Sequence, residues 1–180
     1  LDWQLDAIRQ AGIRDVVIVG GYKAAQIERH IANLPEAERP RFVHNPFWSV
    51  SSSIGSVWEA RAFLCQPFCL MNGDVVVTRG LLDDVLRRSP ADISLVVEQA
   101  PVAEHDDMRV TVEAGRALRV GKDLPAEEAT YRSLGIILCR EGGWGAYDRA
   151  LEAVISGEDG PHRYHHDIVD RLAREGRVAA

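Results

Sequence analysis

The chain has 180 residues, enough for one domain with a proper core and too few for two comfortable ones. Hydrophobic residues make up 46% and charged residues 27%, the balance of an ordinary globular protein and not of a disordered or fibrous one. A formal charge of −6 argues against a broad nucleic-acid footprint, and no apolar run approaches the ~18 residues that would span a bilayer. No secretory leader pattern opens the sequence, and three cysteines (Cys65, Cys69, Cys139) suit a reducing compartment, so a cytoplasmic protein is expected.

In chain order, Leu5, Ile8 and Ala11 form the apolar stripe of a first helix that Asp2 could cap and Gly12 could end. Asp15 to Val19 is a β-branched strand running into Gly20-Gly21-Tyr22. A helix containing Ala25, Ile27, His30 and Ile31 follows, and then a short strand from Arg41 to His44. Asn45-Pro46-Phe47-Trp48 interrupts regular structure, and Ser51-Ser52-Ser53 leads into a helix over about 54–64, with one of these serines available as its cap. Pro67 to Asn72 reads as a strand buried on both faces, ending in Gly73 and Asp74. A helix near 81–88 and a buried strand over 92–98 come next.

Beyond residue 100 the pattern changes. Arg109 to Glu113 and Ala117 to Gly121 alternate around Ala114-Gly115 as a hairpin would. Ser133 to Cys139 is a further apolar strand, and 144–155 and 165–175 read as helices, with Trp144 and Tyr147 at core spacing. This alternation predicts a three-layer α/β domain, Rossmann-like, with a mostly parallel sheet and a small β-hairpin insertion.

Asp74 sits just past a strand's carboxyl end, where open α/β sheets bind ligands, and a carboxylate there can hold a divalent cation against a phosphate or simply form a turn. Lys122, after Gly121 and a hairpin strand, could reach a phosphate as a point charge. His162, His165, His166 and Asp167 open the last helix; His162 and His166 are four apart, a spacing compatible with a transition metal but commoner on a surface helix. Asp167 could instead cap that helix, and Asp170 is its near alternative as a ligand. The spacing of Cys65 and Cys69 about Pro67 disfavours zinc.

The ordered set Val16–Tyr22, Asn45–Ala60, Asn72-Gly73-Asp74, Val120–Leu124, Ser133–Ile137 and Tyr164–Asp167 resembles the nucleotidyltransferases that join an NTP to a sugar phosphate or a phospho-alcohol. Within them the set looks most like bacterial cytidylyltransferases of the phosphocholine type. The resemblance spans nearly all 180 residues. It implies an enzyme releasing pyrophosphate from an NTP, with CTP the expected nucleotide, phosphocholine an example of the acceptor, and Mg²⁺ the cofactor. It implies metal ligation by Asp74 and Asp167, and acceptor-phosphate binding by Lys122. Nucleotide contacts would come from Gly20, Gly21, Tyr22, Ser51, Ser52, Ser53, Ser56 and Gly73, and acceptor contacts from Trp48 and Tyr164. The aromatic residues could hold a quaternary ammonium by cation–π attraction.

The family's Gly-x-Gly-x-x-Arg loop, whose amides grip the triphosphate, has no counterpart between Leu1 and Ala180. The expectation is a single domain, 1–180, that lacks its first strand and Gly-rich loop. Three rivals stand beside this reading. One is a sugar-1-phosphate nucleotidyltransferase using UTP, GTP or dTTP, and another is a non-catalytic nucleotide-binding regulator. The third is a metal-dependent glycosyltransferase, disfavoured because Asn72 stands where an Asp-x-Asp pair needs its first carboxylate.

Overall fold

A computed structural model describes all residues except 90, 101, 103 and 105. The elements follow in the order α1 (Asp2–Gln10), β1 (Val17–Gly20), α2 (Ala24–Ala32), β2 (Arg41–His44), α3 (Ser53–Glu59), β3 (Phe68–Met71), α4 (Arg79–Arg88) and β4 (Ile93–Gln99). Then come β5 (Arg109–Glu113), β6 (Arg116–Gly121), β7 (Tyr131–Cys139), α5 (Trp144–Ile155), α6 (His166–Arg174) and β8 (Val178–Ala179). No described helix is long and apolar enough to cross a membrane.

The mixed α/β class agrees with the sequence, but the mostly parallel sheet does not. β1 and β2 pair in parallel as a separate two-stranded sheet. The other six strands run β3-β7-β4-β8-β6-β5, and a β5–β7 pairing closes five of them into a ring with β3 outside it. Only β4–β8 is parallel there; the remaining pairings are antiparallel.

The connections explain this. β3 and β4 are joined through helix α4 and point the same way, as a crossover requires. Between β4 and β7 lies a hairpin instead of a helix, so β7 returns antiparallel and inserts between β3 and β4. That hairpin is not an appendage: β6 pairs with β8 and β5 with β7. Its turn residues, Ala114 (φ 48°) and Gly115 (φ 75°), both have the positive φ that a tight hairpin with right-handed twist needs.

Two helical layers enclose the sheet. Ile54, Val57, Tyr147, Leu151, Ile168 and Leu172 pack one face from α3, α5 and α6. Ala7 and Val85 cover Cys69, Met71, Ile136 and Leu138 on the other, from α1 and α4. Tyr147 is fully buried and Trp144 packs against the same cluster, in line with their spacing.

Three local readings change. Asp2 is the first helical residue, pairing with His30 and not capping α1. The expected helix over 54–64 breaks at Ala60 into a separate 3₁₀ turn, Arg61–Phe63. No serine side chain caps α3, whose N-cap is Ser52.

Candidate functional site

The loop after β3 is held by α1. The Gln4 side-chain amide donates to the carbonyls of Asn72 (3.3 Å), Gly73 (3.0 Å) and Val75 (2.7 Å), fixing the turn that presents Asp74. Asp74 is exposed. A Cβ on Gly73 would meet nothing within 4 Å, so no protein packing requires glycine there. Gly135 is different: its φ is +69° and a Cβ would lie 2.7 Å from Asn72 Nδ2. It is the residue that lets β7 pass beneath this turn.

Two adjacent histidines are buried beside that turn, not displayed on a surface helix. His165 and His166 are each 4% exposed, with ring centroids 4.1 Å apart. Ser53 Oγ accepts from the His165 backbone amide (3.0 Å) and is hydrogen-bonded to His165 Nδ1 at 2.9 Å. His165 Nε2 is buried without a partner among the described residues. Ser133 Oγ likewise accepts from Gly135 N (3.0 Å) and is hydrogen-bonded to His166 Nε2 (3.0 Å). Burial pushes His165 down to about 4, and burial, with the neighbouring His165 and Lys122, takes His166 well below the usual range. Both rings are neutral at physiological pH. His162 lies outside α6 and is exposed, so the His162/His166 metal reading fails: the two do not share a helical face.

Lys122 Nζ bonds Asp106 and lies 4.8 Å from the Tyr164 ring centroid. The Asp106 hydrogen bond raises the lysine pKa, keeping it cationic. Asp167 Oδ2 accepts from Tyr164 N at 2.8 Å, closing the first turn of α6, while burial raises its carboxyl pKa. Asp170 is committed elsewhere: it accepts from Val120 N (2.8 Å), Arg119 (3.1 Å) and Arg174 (2.8 Å). Among the described residues no group of three His, Cys, Asp or Glu could hold a metal.

These pieces meet at one end of the sheet. Asn45, just past β2, donates from Nδ2 to Ser56 Oγ (3.2 Å), and Ser53, one turn earlier in α3, meets His165. His166 meets Ser133, next to the Gly135 carbonyl that accepts from Asn72 past the end of β3 (2.9 Å). The carboxyl ends of β2 and β3, and of β1 alongside β2, therefore converge.

A cleft of about 1160 Å³ opens there, and Ser53, Ser56, Gly73, Asp74, Lys122 and Tyr164 line it. Asp167 does not line it. Nor do Gly20, Gly21, Tyr22, Trp48, Ser51 and Ser52. The Tyr22 and Trp48 rings are 5.3 Å apart, and a Cβ on Gly21 would lie 2.1 Å from Trp48 Cβ. Gly21 is thus the floor on which Trp48 rests.

The sequence reading missed the Ser53–His165 and Ser133–His166 pairs, the Gln4 clamp and the Asp106 counter-ion. The adjacent histidines were the only available signal for the first, since both are partnered by residues more than thirty positions away.

No family model matches the chain, and no curated protein matches it. Among solved structures the chain is similar to the inositol-1-phosphate CTP transferase from T. maritima, with TM-score 0.73 and 13% identity over 99% of this chain and 70% of that one. It is also similar to an apo UDP-glucose pyrophosphorylase, with TM-score 0.72 and 13% identity over 98% of this chain and 76% of the other. A UDP-glucose pyrophosphorylase complexed with UDP-glucose gives TM-score 0.69 and 12% identity over 98% and 76%. The fold is the one those nucleotidyltransferases share.

Proposed function

We propose that this domain belongs to a nucleotidyltransferase that joins an NTP, CTP foremost, to a small phosphorylated alcohol such as phosphocholine. One observation carries the proposal: a carboxylate, a lysine, an aromatic face and a hydroxyl-lined helix start converge at the carboxyl ends of the strands, on a fold shared with enzymes of this chemistry. In the reaction an acceptor phosphate oxygen attacks the α-phosphorus of the NTP. The bond from that phosphorus to the bridging oxygen breaks, and pyrophosphate leaves with the electron pair. No side-chain nucleophile is needed; the protein positions the partners and offsets their charge.

Lys122 would exchange Asp106 for the acceptor phosphate, with Tyr164 beneath it as an apolar wall. Trp48 would flank the acceptor, with Tyr22 stacked against it. Gly20, Gly21, Tyr22, Ser51, Ser52, Ser53, Ser56 and Gly73 would contact the nucleotide. Asp74, exposed in the cleft, would offer Mg²⁺ one carboxylate; Asp167, outside the cleft lining and with one oxygen held by Tyr164 N, would have to turn toward it to serve as the second ligand. The ion would complete its shell with water and substrate phosphates and would supply neutralisation of phosphate charge. No residue among 1–180 is assigned to the triphosphate, because no Gly-x-Gly-x-x-Arg loop lies within them.

The test is pyrophosphate release by the full-length protein with Mg²⁺, crossing the four common NTPs with phospho-alcohols and sugar 1-phosphates. CTP-dependent release with one phospho-alcohol supports the reading, and loss of turnover in a folded Asp74→Asn variant supports the metal ligand. Release only with UTP, GTP or dTTP and a sugar 1-phosphate transfers the activity to the sugar-nucleotide class. Nucleotide binding with no release for any pair points to a regulatory module.

A further inference from the structure

The start of α3 and the segment that leads into α6 are spliced together beside the cleft. Ser52 N donates to the Pro161 carbonyl (2.8 Å) and Ile54 N to that of Arg163 (3.4 Å). Between them Ser53 Oγ accepts from His165 N (3.0 Å) and is hydrogen-bonded to His165 Nδ1 (2.9 Å). The segment is also pinned to the end of α5: Gly160 is buried, and a Cβ there would lie 2.0 Å from the Ile155 carbonyl oxygen.

The splice brackets Tyr164. The carbonyl before it and the amide after it are both held by the start of α3, and its own N–H goes to Asp167 Oδ2 (2.8 Å). Its backbone is therefore fixed on both sides, and its ring stands with Lys122 Nζ 4.8 Å from the centroid. Ser53 and Ser56, one turn apart on α3, line the same cleft as Tyr164 and Lys122. One short splice thus sets the hydroxyls of α3 and the aromatic face beside Lys122 relative to one another.

His165 is the side chain at the centre of the splice, and packing alone does not account for it. The ring is 4% exposed, and its Nε2 has no partner among the described residues. A buried, unpaired ring nitrogen costs stability that an aliphatic side chain in its place would not. What an aliphatic side chain cannot supply is the Nδ1 contact to Ser53. The ring also packs against His166, with 4.1 Å between centroids. His166 Nε2 bonds Ser133 Oγ (3.0 Å), which accepts from Gly135 N, and the Gly135 carbonyl accepts from Asn72 N (2.9 Å). The line of contacts from α3 thereby reaches the turn that presents Asp74.

We infer that His165 is a positioning residue: through Ser53 and the splice it sets the nucleotide-contacting hydroxyls and the acceptor-contacting Tyr164 in one geometry. This deepens the proposed function and rests on it for which ligand each group takes. Because one ring holds both groups, its loss weakens both substrates together, whereas a residue on a single side moves one.

Two substitutions separate this from a role in packing. His165→Asn keeps an amide atom near the place of Nδ1. His165→Gln fills more of the ring's volume but carries its amide toward the place of Nε2. Cavity filling alone favours the Gln variant, and positioning favours the Asn variant. In the folded full-length protein with Mg²⁺, CTP and phosphocholine, His165→Gln should raise both KM values about tenfold, the size of one lost hydrogen bond. His165→Asn should stay within about threefold of the wild type in both. Ser56→Ala, on the nucleotide side, should move only the KM for CTP. A rise in one KM alone for His165→Gln, or a Gln variant no worse than the Asn variant, would overturn the inference.

Hydrogen exchange without ligand gives a second reading. The Ser52 and Ile54 amides should exchange about tenfold faster in His165→Gln than in the wild type, and near the wild-type rate in His165→Asn. Unchanged exchange in His165→Gln would show that His165 does not hold the splice, and would also overturn the inference. No turnover, with exchange in the expected order, would refute the proposed reaction and leave the splice standing, so the two failures are distinguishable.

Discussion

Acid should unfold this protein through its buried histidines, and His165 allows the size of the effect to be worked out. Its folded pKa is about 4, against 6.5 for the free side chain, because burial disfavours the imidazolium. Above pH 6.5 the ring is neutral in both states and contributes nothing to the pH dependence. Between 6.5 and about 4 the unfolded chain holds a proton that the folded one refuses, so stability falls as pH falls. The full difference corresponds to about 3 kcal/mol, most of it expressed by about pH 4.5. His166, pushed down by burial, His165 and Lys122, adds loss of the same sign. Urea unfolding of the wild type and of His165→Gln, each at about pH 7 and about pH 4.5, compares the two; the variant also loses the part of the His166 shift that His165 supplies, which widens the difference in the same direction. The wild type should lose about 2–3 kcal/mol more than the variant over this interval. Equal losses would show that His165 is not held neutral by its burial.

Two further perturbations probe the site. Gly21→Ala drives a methyl into Trp48 Cβ, so it should shift tryptophan fluorescence and cost about 1–3 kcal/mol in denaturant unfolding; an unchanged spectrum and midpoint would mean that Trp48 does not rest on Gly21. Asp106→Ala removes the hydrogen bond that principally raises Lys122, so the Lys122 pKa should fall toward the ordinary lysine value in an NMR titration, and no change would assign the shift to another cause.

Much of the fold was legible because local periodicity dictates it. The strand at Phe68–Met71, the hairpin about Ala114-Gly115 and helix α5 each carry their own pattern within a dozen residues. Strand order was not legible, because β7 is placed by the absence of a helix between it and β4, a property of the connection and not of either strand. β8 was missed for a related reason: two residues carry no period, and Val178–Ala179 is a strand only because β4 and β6 flank it. At the site, Asp74 and Lys122 were visible as charges beside glycines. The Ser53–His165 pair joins residues 112 positions apart, and neither serine nor histidine announces a partner at that distance.

The two-sheet construction also divides the molecule energetically. In the ring β7-β4-β8-β6-β5 every strand has neighbours on both sides, so no member can leave without opening the whole. The β1–β2 pair has no such closure, and a two-stranded sheet is marginal by itself. On residues 1–180 alone, β1, β2 and α2 should therefore open as one unit at a free energy below that of global unfolding. The ring would act as the permanent scaffold, and Gly20 to Tyr22, three of the residues proposed to contact the nucleotide, would stand on the part of the protein that breathes.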